Sequence, residues 1–237
     1  MVLGKAKVKF MTGLVGNVSV PTYSGSTVGW AGEVEAAKDG AGKFGEVELS
    51  PKRITAYIDL SKQFINQDSA SAEALLRADI VRAISNQLES TILGADAGTA
   101  NKPAGIFNGA TATPLTYDGI VDMEEKLDGV EAFANPVYIV SPAIKAKLRK
   151  AKTDAGSGQF VYENGEINGI PCLCTSAAKG IVLGDFASSY VIGQWGATDV
   201  TVDPYTQAAS GKIRIVVNAY FDAKPLREEA FVKGISE

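Results

Sequence analysis

The chain has 237 residues, enough to bury a real core as one large domain or two small ones, and its 46% hydrophobic and 21% charged residues are those of an ordinary soluble protein. A net charge of −4 gives no reason to expect wholesale nucleic-acid binding. Histidine is absent, which excludes Ser-His-Asp and Cys-His catalysis and histidine-ligated zinc, while lysine, carboxylate and cofactor chemistry stay open.

Residues 1–32 carry Lys5, Lys7 and Lys9, no acid and several glycines. They read as an extended arm or edge strand rather than a packed element. Lysines beside Phe10, Met11, Leu14 and Val15 faintly resemble a secretory signal, but Gly13, Gly16 and Asn17 break the apolar block. Residues 33–60 read as a long hairpin. Glu33-Val34-Glu35 leads up to the turn signal Asp39-Gly40, and Val47-Glu48-Leu49 leads back. Its arms are polar and contain Gly42 and Gly45, so a neighbour is needed to order it. Ile54, Ala56, Ile58 and Leu60 then alternate with Thr55, Tyr57 and Asp59 as a half-buried strand.

Ser69–Gly94 is the one long uninterrupted helical segment. Leu76, Ile80, Ile84, Leu88 and Ile92 form its stripe, Ala72, Leu75, Ala83 and Leu93 widen it, and Arg77, Arg82 and Glu89 lie off its centre. Ser69 or Ser71 suits the cap, and Gly94 suits a left-handed end. About 22 helical residues make a rod of roughly 33 Å, a beam for the β-rich remainder.

Beyond it, Asn101–Phe107 is a redirecting turn, Tyr117–Leu127 a short helix and Pro136–Val140 a buried strand. Ser141-Pro142 opens a helix with serine as cap and proline in first position. That helix, 143–152, carries Lys145, Lys147, Arg149, Lys150 and Lys152. Its cations read either as a solvated face or as a contact for a polyanion or an acidic neighbour. Asp154–Gln159 is a loop, and Asn168-Gly169-Ile170-Pro171 turns into a strand with Cys172 and Cys174. Cysteines two apart make no framework of disulfides. They read as buried small hydrophobes in a reducing compartment, with redox or metal binding as the alternative. Strands resume at 180–183, 189–192, 199–202 and 212–221, the last with Ile213, Ile215, Val217, Ala219 and Phe221 on one face. There is no transmembrane run. The order implies a discontinuous α+β body with the central segment inserted.

Two motifs resemble chemistry. Gly40-Ala41-Gly42-Lys43-Phe44-Gly45 matches the dinucleotide pattern by letter, but such a loop works only between a buried strand and a helix, and strand-like alternation follows here. A hairpin tip is the simpler reading, and no cofactor is expected. Glu124-Glu125 and Glu228-Glu229 are adjacent carboxylates that diverge on regular elements, so they read as solvated surface.

In order, several blocks resemble the major capsid proteins of tailed double-stranded DNA bacteriophages, the Hong Kong ninety-seven type of shell fold. They are Gly13–Val18 through Pro21 to Trp30-x-x-Glu33, then Phe44-Gly45-x-Val47-x-Leu49-x-Pro51, and Ile58-Asp59-Leu60-Ser61 into the long helix. Leu93-Gly94-Ala95-Asp96, Pro103-x-Gly105-Ile106, Asn168–Pro171, Leu183-Gly184-Asp185-Phe186, Tyr190-Val191-Ile192 and Ala230-Phe231-Val232 follow. The resemblance implies an α+β capsid fold with an N-terminal arm (1–29), an extended hairpin loop across a neighbouring subunit (30–57) and a peripheral domain with a spine helix (58–116). An axial domain (117–190) and return strands of the peripheral domain (191–237) complete it. It implies a non-enzymatic subunit that forms pentamers and hexamers of an icosahedral shell around double-stranded DNA. The shell would be assembled in the bacterial cytoplasm, with a scaffold or maturation protease and a portal as partners and no membrane. Trp30, Glu33, Lys38, Lys43, Phe44, Glu46, Arg77, Arg82 and Glu89 become candidate subunit contacts. An encapsulin-type compartment of the same fold and a small cofactor-binding enzyme are the alternatives.

Two departures stand out. Family precursors often carry an N-terminal scaffolding segment, whereas Met1 stands almost directly before the arm. Either the chain starts near a processing point or a separate scaffold acts. Some members also cross-link a loop lysine, whose place Glu46 takes, with Lys38 and Lys43 close by in sequence. Autocatalytic cross-linking is therefore not expected.

Overall fold

In the computed structural model, residues 1–235 are described apart from 24, 27, 32, 35, 37, 38, 64–68, 131–133, 155 and 157, and apart from the side chains of 69–74 and 77. The first half comprises α1 (Val2–Lys5), β1 (Lys9–Leu14), β2 (Val18–Tyr23), β3 (Phe44–Leu49), β4 (Lys52–Ser61), α2 (Ser69–Ile92), β5 (Thr111–Ala112) and α3 (Tyr117–Asp128). Then come β6 (Val137–Val140), α4 (Pro142–Leu148), β7 (Tyr162–Glu163), β8 (Glu166–Ile167), β9 (Ile170–Cys174) and β10 (Ile181–Gly184). The chain closes with α5 (Phe186–Ser189), β11 (Tyr190–Asp203), β12 (Lys212–Pro225) and β13 (Phe231–Ile235).

The alternating strands build a four-stranded sheet, ordered β1-β11-β12-β4. Ile215 pairs with Ile58 and Ile213 with Leu60, so the two expected apolar rows share one face. The strands expected at 189–192 and 199–202 are a single strand, interrupted by a register shift between Trp195 and Asp199. On the opposite face Arg214 donates two bonds to the Asp59 carboxylate at 2.7 and 2.8 Å and stacks 4.2 Å from the Tyr57 ring centroid. Those bonds hold the Asp59 carboxyl below its ordinary pKa. A depressed folded pKa contributes stability above the unfolded value and loses it as pH falls through the folded one. Asp59→Asn should therefore flatten the acid limb of a stability–pH curve. Thermal unfolding between about pH 2 and 5 checks this, and an unchanged limb would remove the assignment.

Strand pairing differs from expectation in the hairpin. Val47–Leu49 pairs with β2, Val18 lying opposite Leu49 and Tyr23 opposite Phe44; of the arm expected at Glu33–Glu35, residue 35 lies outside the described residues. Val20 and Leu49 are buried against Val191 and Trp195, and the Trp195 indole donates to the Gly16 carbonyl at 2.6 Å. That small cluster selects the partner. In the expected partner arm Val34 is fully exposed.

The long helix is present over Ser69–Ile92, with Ile80, Leu88 and Ile92 buried and Leu76 and Ile84 half-buried. The stripe is narrower than expected, since Leu75 is 71% exposed and Ala83 also faces out. The expected caps Ser69 and Ser71 lie outside the described side chains. Gly94 is not left-handed; it serves close packing, because a Cβ on Gly105 would sit 2.1 Å from the Gly94 oxygen. Glu89 is a further correction. It is buried, accepting the Val2 amide at 2.8 Å and the Thr175 hydroxyl at 2.9 Å, so it ties this subunit together and is no surface contact. The N-terminal segment is likewise packed, with Leu3, Ala6 and Val8 in the core, while Lys5, Lys7 and Lys9 alternate outward.

The second sheet has seven strands ordered β5-β13-β10-β6-β9-β8-β7. β10 is buried throughout, as a strand covered on both faces should be. Thr116 caps α3 and Ser141 caps α4, with Pro142 in the first turn. Asn164-Gly165 and Asn168-Gly169 all have positive φ, the backbone of two-residue hairpin turns, and join β7 to β8 and β8 to β9. The chain end divides: β11 and β12 lie in the first sheet, whereas β13 pairs with β10 in the second.

Cys172 and Cys174 are free thiols. Burial pushes the Cys172 thiol up to about 12, so it stays protonated at neutral pH. Iodoacetamide at pH 8 should leave Cys172 unmodified in the native protein and modify it after denaturation; rapid native labelling would contradict this. No helix among the described residues is long and apolar enough to cross a membrane.

Candidate assembly surfaces

The β2–β3 ribbon ends in a long connection whose base is held by local bonds. Tyr23 stacks on Phe44 with centroids 4.7 Å apart, and the Gly42 amide donates to the Tyr23 hydroxyl at 2.9 Å. Gly25 and Gly42 touch, since a Cβ on Gly42 would lie 1.9 Å from the Gly25 oxygen. Beyond that contact Val28, Trp30 and Val34 are fully exposed. Three such side chains on one loop form a sticky tip. Glu33, Lys43 and Glu46 are exposed as well, Glu46 accepting the Ser19 hydroxyl at 2.8 Å; Lys38 lies outside the described residues. The G-x-G-x-x-G letters run into β3 rather than a helix, so the pyrophosphate-binding geometry is missing.

A groove of about 540 Å³ runs between β4 and α2, lined by Ile54, Ala56, Ile58, Ile80, Ile84 and Leu88 among others. On the helix above it Arg82 pairs with Asp79 in solvent, Val81 is exposed, and the Arg77 side chain lies outside the described ones.

Sequence reasoning missed a buried ion pair near the base of the ribbon. Lys52 (9% exposed) meets the fully buried Asp222 at 2.7 Å, and Asp222 also accepts the Ser50 amide at 3.0 Å. The available signal was an acid inside the apolar run Phe221-Asp222-Ala223. Burial, with the Asp222 charge as a lesser cause, pushes the Tyr190 hydroxyl upward.

The basic helix is shorter than expected. It ends at Leu148, with Arg149 as C-cap and Lys150 and Lys152 beyond it. Lys145 is half-buried, 5.1 Å from the Tyr162 ring centroid, while Lys147, Arg149, Lys150 and Lys152 are exposed. Glu124 is not plain surface: it accepts the Tyr138 hydroxyl at 2.8 Å and the Asn168 amide at 3.2 Å. Glu228 and Glu229 are exposed, as expected.

Two sheets sharing a core, a long helix beside one sheet and an exposed loop define an α+β fold of the tailed-phage capsid class. Solved capsid subunits have that shape. The capsid of a native GTA particle superposes with TM-score 0.79 at 19% identity, over 98% of this chain and 89% of that one. A solved chain of Gordonia phage Cozz gives 0.73 at 14%, over 100% of this chain and 86% of that one. The phage capsid family matches residues 1–235, and the chain belongs to that family. It is 30% identical over 240 residues to the major capsid protein of Halomonas phage phiHAP-1, covering 97% of this chain and 40% of that protein. With that of Klebsiella oxytoca phage phiKO2 it shares 28% over 127 residues, 53% of this chain and 29% of the other. The chain thus spans less than half the length of these relatives.

Proposed function

We propose that this chain is a shell-forming major capsid subunit, whose copies associate as pentamers and hexamers into an icosahedral shell around double-stranded DNA. The observation that carries this reading is the loop tip with Val28, Trp30 and Val34, which has no packing partner among the described residues of its own subunit. An exposed tryptophan flanked by valines gains a large apolar burial once a neighbouring copy covers it. Family membership supports the same reading.

In this proposal 30–57 is the loop that crosses a neighbour, and residues 1–29, expected as an arm but packed at their start through Leu3, Ala6 and Val8, lead into it. Residues 58–116 with most of 191–237 form the peripheral part, and 117–190 the axial part. Trp30, Glu33, Lys38, Lys43, Phe44, Glu46, Arg77 and Arg82 are the subunit-contact residues. The work of the protein is mechanical rather than catalytic. Its destination is the virion, reached by assembly in the bacterial cytoplasm with a scaffold or maturation protease and a portal. Electron microscopy of purified protein, with and without scaffold, tests this: closed shells or capsomers are expected. A strictly monomeric protein in both conditions would sink the proposal.

A further inference from the structure

Two turns of the second sheet carry the same reactive pair. Asn164-Gly165 joins β7 to β8 and Asn168-Gly169 joins β8 to β9, with all four residues exposed and at positive φ. An asparagine followed by glycine is open to deamidation, because no Cβ shields the glycine nitrogen. That nitrogen attacks the side-chain carboxamide carbon, the new C–N bond closes a succinimide ring, and the carboxamide nitrogen leaves as ammonia, carrying the proton that the glycine nitrogen gave up. Water then opens the ring to aspartate or isoaspartate, so water is the only co-reactant. The attacking nitrogen must be free of hydrogen bonds, and neither the Gly165 nor the Gly169 amide donates one among the described residues.

The two carboxamides are held differently. The Asn168 Nδ2 donates to both oxygens of Glu124 at 3.2 Å. A carboxylate only accepts, so the amide nitrogen is the atom that faces it. Glu124 is itself fixed on α3, accepting the hydroxyl of the buried Tyr138 at 2.8 Å. Ring closure at Asn168 must first pull its side chain away from that anion. The Asn164 carboxamide has no hydrogen-bond partner among the described residues. Its turn also joins the two-residue edge strand β7, whereas the Asn168 turn leads into β9, which lies between β6 and β8. The Gly165 carbonyl accepts the Cys172 amide at 2.9 Å, which fixes the chain beyond the reacting atoms and leaves the Asn164 side chain unheld.

We propose that Asn164-Gly165 is a self-modification site, converted in water to aspartate or isoaspartate, and that Glu124 protects the twin site at Asn168-Gly169. The product acts on the fold around it. Glu163 and Glu166 already lie opposite one another across the turn, and like charges so placed repel. A carboxylate at position 164 adds a third charge, and isoaspartate lengthens the backbone inside a two-residue turn. Both changes open the β7–β8 hairpin.

Peptide mapping by mass spectrometry, following the full chain over time in mildly alkaline buffer, tests this. In the native protein Asn164 should deamidate, with isoaspartate among the products, about tenfold or more faster than Asn168. In urea, where Glu124 no longer holds Asn168, the gap should close. Glu124→Ala should raise the Asn168 rate toward that of Asn164 and leave Asn164 unchanged. Tyr138→Phe, which removes the other bond to Glu124, should leave Asn168 protected. Circular dichroism confirms that each variant is folded, and the comparison of native with urea-unfolded parent stands without either variant. A native Asn164 no faster than Asn168 would overturn the proposal. So would a gap that persists in urea, which would put its cause in the neighbouring residues, or an Asn168 rate unmoved by Glu124→Ala in a folded protein.

Discussion

Deleting residues 26–41 and joining Gly25 to Gly42 should abolish particle formation while leaving the subunit folded. The two glycines already touch, so the join makes a short glycine turn between Tyr23 and Phe44 without moving β2 or β3. What leaves is the apolar tip with Val28, Trp30 and Val34, which among the described residues contributes no buried side chain to its own subunit. Shortening a loop changes its closure entropy by only about 1 kcal/mol, so the unfolding temperature should move by a few degrees at most, roughly 2–4 °C. Particle yield should fall to background. Normal shells from this variant would refute the role of the loop, and an unfolded variant would refute its independence from the body. A cut at 33–50, within the hairpin expected over 33–60, would be the wrong experiment. It removes β3 and the fully buried Leu49, exposing Val191 and Trp195.

The second large effect is on stability. Asp222→Ala should cost about 3–5 kcal/mol, because it leaves the Lys52 ammonium buried without its partner and the Ser50 amide without its acceptor. For a domain of this size that is a fall in unfolding temperature of roughly 6–20 °C. The double change Lys52→Met with Asp222→Leu should recover most of it, since no buried charge remains. Urea titrations of Lys52→Met, Asp222→Leu and the double variant give the cycle, with Asp222→Ala measured beside them. A cost below about 1 kcal/mol for Asp222→Ala, or a double variant as unstable as the single, would show that the pair is not desolvated as the structure has it.

Elements whose determinants are local were readable in the residues. Ser141-Pro142 and Asn168-Gly169 announced a helix start and a turn because capping and positive φ depend on two or three neighbouring residues. The α2 rod and the alternation of β4 and β12 were equally plain from their periods. The shorter reach of α4 was not, since its basic residues continue beyond Leu148 without a sequence break.

By itself, then, the amino-acid sequence determined where the rods and ribbons lie, that histidine chemistry is absent, and which residues are too apolar to stay in water. Only the tertiary structure decided that Val47–Leu49 pairs with 18–23, that β13 joins the second sheet, that Asp222 faces Lys52 and that Glu89 points inward. Each of these is a contact between residues far apart in the chain. Periodicity tells a strand that it has an apolar face, and only packing tells it which distant face completes the core.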